Sequence, residues 1–386
     1  MGRVLIKNIG TIVTGDLNKP KMDGDSILIE NGVISKIGSE ADINSDIIID
    51  AKGMDIMPGL IDSHMHPVLG DYTPRQNSAG FLESEVHGGV TSFISAGEVH
   101  APGRVRGNKD FSMALAVTAN IAYRNFRPLG AKIHAGAVML EQGMNKNDFQ
   151  YLNDRGVRLI GEIGLSSVQD PADAAMMLEW GRALGMKAHV HTGGASIPGS
   201  TVIDENVILE IKPDIVSHIN GGPTSISLEG IRKVINSIKS AVEIVQCGNF
   251  RSMLETTKIL MQRNELGRLI IGNDAPSGSG LMPLGVLRTL ATISSLGGLP
   301  PEIAITAATG NTSRVFGLNE GIISEGKPAD LILFDSPIGS EGEDGLKALS
   351  IGDLPAIALV MIDGNIETIG SRNTPPPKRQ ISIEKK

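Results

Sequence analysis

Short apolar runs recur through the middle of the chain, separated by segments with helical spacing such as Ala172–Leu184 and Leu228–Ile238. Eight runs carry the pattern of a buried strand: Met57–His66, Val90–Gly97, Ala131–Leu140, Val157–Gly164, Lys187–Gly193, Asp214–Asn220, Val242–Cys247 and Arg268–Asp274. Strands alternating with helices over roughly 260 residues predict an α/β fold, a (β/α)8 TIM-like barrel. The two ends of the chain follow a different grammar. Ser26–Glu30 and Val33–Ile37 flank Asn31-Gly32, and Ile357–Ile362 and Asn365–Ile369 flank Asp363-Gly364, with Asp330–Asp335 as a further strand. Both dipeptides favour two-residue hairpins. Each terminal β piece is too short to stand alone. Together they predict a small β-sandwich domain from residues 1–56 and 320–386, beside a barrel of residues 57–319. The tail from Pro375-Pro376-Pro377 to Glu384-Lys385-Lys386 reads as an exposed arm.

Composition narrows the range of partners. The 386 residues carry 35 Lys+Arg against 43 Asp+Glu, a formal charge of -8. No excess of positive charge is available to grip nucleic acid or an anionic membrane surface. One cysteine cannot form an internal disulfide, which predicts a reducing, cytoplasmic setting. No apolar run approaches the ~18 residues of a membrane span. The 47 glycines point to many tight loops around buried strands.

In a barrel of this kind the chemistry gathers where strands end, so polar residues closing an apolar run are the informative ones. Run one closes with His64-Met65-His66, whose alternation turns both imidazoles to the same side. Glu162 closes run four, His191 run five, His218 run six and Asp274 run eight. Four imidazoles and two carboxylates on one rim predict two divalent cations, with nitrogen and oxygen ligands suiting Zn, Fe, Mn or Co. His189 lies one layer deeper than His191 and reads as barrel packing. His134, mid-strand, and His87, on a helix, read as structural. His100, in the loop after run two, either supports the site or lies on the loop surface. Gly193-Gly194 is either a plain turn or a place where substrate approaches backbone. Cys247 has no base beside it in sequence and reads as packing.

The run Pro58-Gly59-Leu60-Ile61-Asp62-Ser63-His64-Met65-His66 resembles the opening signature of the amidohydrolase superfamily, as does Gly326-Lys327-Pro328-Ala329-Asp330-Leu331 near the end. Three further runs, 71–76, 217–223 and 272–278, are similar to a narrower branch of that superfamily found in nicotinate fermentation. The resemblance implies His64, His66 and Asp274 on the more buried metal, and His191 and His218 on the other. It also implies Glu162 as the bridge, where many relatives carry a carboxylated lysine, and Asp274 as general base and acid. Two divalent ions, zinc and/or iron, and a homotetramer follow from the same resemblance. So does the substrate, a small-molecule cyclic amide carrying a carboxylate: 6-oxo-1,4,5,6-tetrahydronicotinate, opened to 2-formylglutarate and ammonia. Its carboxylate calls for a cation, and Arg75 and Arg104 are the candidates, with Tyr72 a further contact; each arginine could equally lie on the surface. Hydrolysis of another cyclic amide (lactam, hydantoin or dihydropyrimidine) is the alternative reading. A non-catalytic assembly role is disfavoured, because a scaffold has no need of converging, unpaired ligands.

Overall fold

The computed structural model describes residues 2–39, 44–67, 78–99, 101, 103–221, 225–275 and 281–385. All eight runs form strands of one parallel barrel, in sequence order: Leu60–Met65, Val90–Ser95, Lys132–His134, Leu159–Ile163, Lys187–Val190, Ile215–Val216, Ala241–Val245 and Leu269–Gly272. Isolated parallel bridges, Val138 to Ile160 and Met65 to Ala275, close the ring between strands three and four and between strands eight and one. Helices such as Pro171–Arg182 and Leu228–Ser237 return the chain between strands, with Asp170 and Ser227 accepting the first free backbone N–H groups. Their apolar faces, including Leu178, Ile231 and Val234, join one core with Ile160, Val190 and Val242 of the strands.

Every strand is shorter than its apolar run, and three of them show why. Run one is two strands, Asp55–Pro58 and Leu60–Met65, parted at Gly59. A side chain at Gly59 would collide with Thr91, its built Cβ lying 2.0 Å from Thr91 Oγ1. The first piece, with Met57 and Pro58, pairs with Leu331–Asp335 in the terminal sheet, not in the barrel. Strand three stops at His134 ahead of Gly136, whose φ of 88° leaves extended backbone. Strand six stops at Val216 ahead of His218, with φ 30°.

The chain ends build a β-sandwich of two sheets. In the five-stranded sheet the order is Ser382–Lys385, Ile47–Asp50, Arg3–Lys7, Ser26–Glu30, Val33–Gly38. The six-stranded sheet runs Asn365–Ile369, Ala356–Ile362, Leu331–Asp335, Asp55–Pro58, Ile12–Val13, Lys21–Met22. Alternation shows how the second sheet is used. Leu331, Leu333, Leu359 and Met361 pack against Ile6, Ile27 and Ile49 of the first sheet. Ile332, Phe334, Val360 and Ile362 join the barrel's core. Buried on both faces, the inner strands of this sheet lose the polar half of the usual strand pattern. Both hairpin dipeptides adopt positive φ at each residue: Asn31 53° and Gly32 82°, Asp363 49° and Gly364 77°.

The C-terminal tail is not an exposed arm. Ser382–Lys385 pairs antiparallel with Ile47–Asp50, and Ile381 and Ile383 pack on the sandwich core. Arg379 anchors the approach by donating to Asp335 and to the carbonyl of Gly53. Among the described residues, no helix is long and apolar enough to cross a membrane.

Candidate metal centre

Six side chains from five strand ends meet inside the barrel mouth. His64, His66, Glu162, His191 and His218 are buried, and Asp274 keeps 18% of its side chain exposed. His64 Nε2 and His66 Nε2 lie 3.3 Å apart. Asp274 Oδ1 is 3.6 Å from the first and 3.4 Å from the second. On the other side, Glu162 Oε1 is 3.3 Å from His191 Nδ1 and 2.7 Å from His218 Nε2. Its second oxygen, Oε2, lies 3.4 Å from His66 Nε2. The Glu162 carboxylate thus stands between two groups, Oε2 toward His66 and Oε1 toward His191 and His218, with Oε1 also 3.7 Å from His64 Nε2.

The imidazoles are oriented from behind. A metal ligand needs a bare ring nitrogen, which a hydrogen bond from the opposite N–H secures. His66 donates Nδ1–H to the carbonyl of Gly97 at 2.8 Å, and His191 donates Nε2–H to the carbonyl of Gly194 at 3.1 Å. His64 donates Nδ1–H to Glu243 at 2.8 Å. In each case the free nitrogen faces the cluster. His218 Nδ1 is buried without a partner. Backbone anchors complete the frame. Asp62 Oδ1 accepts from the N–H groups of His64 and Asn273 at 3.0 and 2.9 Å, fastening strand one to strand eight. Asn220 fastens the loop after strand six to strand seven, through the N–H and carbonyl of Val245.

Two candidate ligands sit on backbone that L-residues seldom adopt, His218 at φ 30° and Asp274 at φ 54°. Such conformations persist only where the surroundings enforce them. The electrostatics agree with a site built for positive charge. Burial alone would raise the Glu162 carboxyl, but His64, His191 and His218 overcome it and hold the group well below the usual range. Burial would likewise lower His64, but the Glu243 and Glu162 carboxylates drive it well above an ordinary imidazole. Carboxylates that hold protons on imidazoles this strongly would hold divalent cations there in exchange for those protons.

Two groups in this cluster bring their donor atoms close enough to share an ion: His64, His66, Asp274 and His64, Glu162, His218. His64, His189 and Glu243 form a third such group. There, however, His64 Nδ1 and Glu243 are already hydrogen-bonded. His189 stacks on Phe316 with ring centroids 5.6 Å apart, and burial lowers it to about 4, leaving it neutral. That is a packing histidine.

The substrate-facing expectations fare differently. Tyr72, Arg75 and His100 lie outside the described residues. Arg104 is drawn toward the buried carboxylate of Glu141 at 3.4 Å and donates to the carbonyl of Leu165 at 3.1 Å, while its Nε stays buried without a partner. Gly193 exchanges backbone hydrogen bonds with Ile203, both 2.8 Å. Cys247 Sγ comes within 3.9 Å of Asp274 Oδ2. Sequence reasoning missed Glu243 and Glu98. Glu243 carried a visible signal, an acid flanked by apolar residues on a central strand, the same reasoning that singled out Glu162. Glu98, three residues past strand two, has both carboxyl oxygens buried without a partner, and burial pushes it up to about 8.

A closed parallel barrel with histidines and acids at these strand ends is an amidohydrolase architecture. The amidohydrolase family model matches residues 56–367, and the chain belongs to that family. Members of the superfamily use metal ions, in keeping with the clusters above. Within it, the chain is 47% identical to the enamidase of Eubacterium barkeri over 99% of this chain and 100% of that one. A crystal structure of enamidase superposes with a TM-score of 0.95 at 46% identity, covering 99% of this chain and 100% of the other. Imidazolonepropionase from Geobacillus sp. (strain WCH70) is 22% identical over 87% of this chain and 92% of its own.

Proposed function

We propose that this protein is a metal-dependent hydrolase that opens the cyclic amide 6-oxo-1,4,5,6-tetrahydronicotinate. The observation that carries the reading is Glu162, whose carboxylate reaches histidines on both sides, Oε2 toward His66 and Oε1 toward His191 and His218, where two ions could share it. Full-length similarity to enamidase supports the substrate. His64, His66 and Asp274 would hold one divalent ion and His191 and His218 the other, with Glu162 between. Zinc and iron suit this nitrogen and oxygen set. Such ions, held there, would lower the pKa of a water and polarise the amide carbonyl.

Asp274 would take the proton of the attacking water and deliver it to the ring nitrogen as the C–N bond breaks, its partial exposure leaving an oxygen within reach of both. The released amine sits on an alkene carbon. Tautomerisation gives an imine, and a second water converts it to an aldehyde and ammonia, so two waters yield 2-formylglutarate. Arg75 and Arg104 are the proposed cations for the substrate carboxylate, with Tyr72 and His100 as further contacts. A cytoplasmic homotetramer belongs to the same reading. Phe250, Met261 and Leu296 are exposed apolar side chains that an assembly would cover.

Ring absorbance, ammonia and aldehyde measured on one sample test the proposal. One ammonia and one aldehyde per ring opened are expected, with two metal ions per chain and no response to added bicarbonate, since Glu162 supplies a ready-made carboxylate. An intact ring, with a hydantoin or dihydropyrimidine opened instead, would replace this substrate by another cyclic amide.

A further inference from the structure

Glu243 is fully buried in the middle of barrel strand seven, flanked by Val242 and Ile244, where a valine would satisfy packing. Its carboxylate is nonetheless fully engaged. Oε1 accepts from His64 Nδ1 at 2.8 Å and from the backbone N–H of His218 at 3.0 Å, and Oε2 accepts from Ser63 Oγ at 2.7 Å. The backbone carbonyl of Glu243 accepts from the N–H of Ile219 at 2.9 Å. One residue therefore holds a side chain from the first ligand group and the backbone of the second.

We propose that Glu243 is a positioning residue that couples the two metal positions through a single carboxylate oxygen. This rests on the two-ion reading above. An imidazole offers a lone pair at one nitrogen only, and donation of Nδ1–H to Oε1 leaves it on Nε2, which faces His66 and Asp274. The negative charge behind the ring also makes that nitrogen a stronger donor to a cation. The same Oε1 captures the N–H of His218 and, with the Ile219 bond, holds two successive peptide groups against strand seven. That clamp keeps His218 at φ 30°, with its Nε2 on Glu162.

Metal content and affinity, measured by chelator competition on folded, metal-loaded protein, test the coupling. Glu243→Gln keeps an acceptor but loses the charge, and both ions are expected to bind about 10- to 100-fold more weakly, the usual cost of removing a ligand's supporting partner. Glu243→Ala is expected to release both ions together at chelator concentrations that leave wild type with two. On saturating metal, kcat should fall in both variants while KM stays near wild type. A purely structural role would lower the unfolding temperature and leave metal affinity untouched. Wild-type affinity at both positions in the folded glutamine variant would overturn the inference, whether or not the alanine variant folds. Loss of one ion while the other binds as in wild type would overturn the coupling. Wild-type protein lacking stoichiometric metal would bring down the two-ion reading itself, and this inference with it.

Discussion

The two ends of the barrel are finished in opposite ways. Where strands begin, polar groups are closed against each other. Arg268 donates to the carbonyls of Ser240, Ile235 and Ile238 and to Glu265, and Asn311 donates to the carbonyls of Leu266 and Leu269. Asp214 ties Arg182 to the backbone of Ala188. Where strands end, six candidate ligand side chains face one another, Glu98 has no partner among the described residues and two residues hold rare backbone angles. Stability is concentrated at one end and reactivity at the other, a division that suits this fold because strand order and loop chemistry are set independently. Side chains at the open end are therefore expected to matter more for turnover than for stability, and those at the closed end the reverse.

The sharpest way to break this contrast is Asp274→Asn. Turnover should fall by about 10³-fold, within the range that general-base catalysis supplies, while the thermal unfolding midpoint stays within a few degrees of wild type. A collapse of the fold would show that the open end also carries stability. Arg268→Ala should do the reverse. Stranded carbonyls cost about 2 to 3 kcal/mol in urea unfolding, with turnover per folded molecule unchanged.

Glu98 sharpens the comparison through pH. Its carboxyl is raised to about 8 by burial, so the native state keeps a proton that the unfolded chain releases near its ordinary value of 4.5. The stability this proton contributes is complete below that lower value and is lost as pH rises through the upper one. Glu98→Gln cannot ionise, so its stability relative to wild type should improve by about 1 kcal/mol between pH 6 and 7. Parallel pH profiles in urea titrations would show that Glu98 has a partner in solution. Smallest of all, Cys247→Ser should change kcat by less than about threefold, because a sulfur 3.9 Å from Asp274 Oδ2 makes only a weak bond. A tenfold loss would place the thiol in the proton path.

Much of this was legible in the chain. Barrel strands announce themselves as apolar runs, and a polar residue closing such a run falls on the rim by geometry alone, which is why all six candidate ligands were found together. Contacts between distant segments leave no such trace. Nothing in the sequence placed Arg104 beside Glu141, 37 residues away, which also holds the N–H groups of Gly107 and Ser167. The tail was misjudged because its prolines and lysines masked the alternation of Ile381 and Ile383. Gly59 lay inside an unbroken apolar run, and only the packing of Thr91 against it shows that one run serves two sheets.

That junction shapes how the protein is made. Asp55–Pro58 leaves the ribosome early, but its partner Leu331–Asp335 follows roughly 270 residues later. At ~5 to 20 residues per second the wait is about 15 to 50 s. Throughout it, the N-terminal strands expose unpaired edges that can recruit other nascent chains. The barrel's first strand hangs from this unfinished sheet through Gly59, with His64 only a few residues beyond. A segment made roughly 270 residues later therefore secures the strand that presents the first two candidate ligands, and a chain truncated before Leu331 is expected to aggregate rather than to form a working barrel.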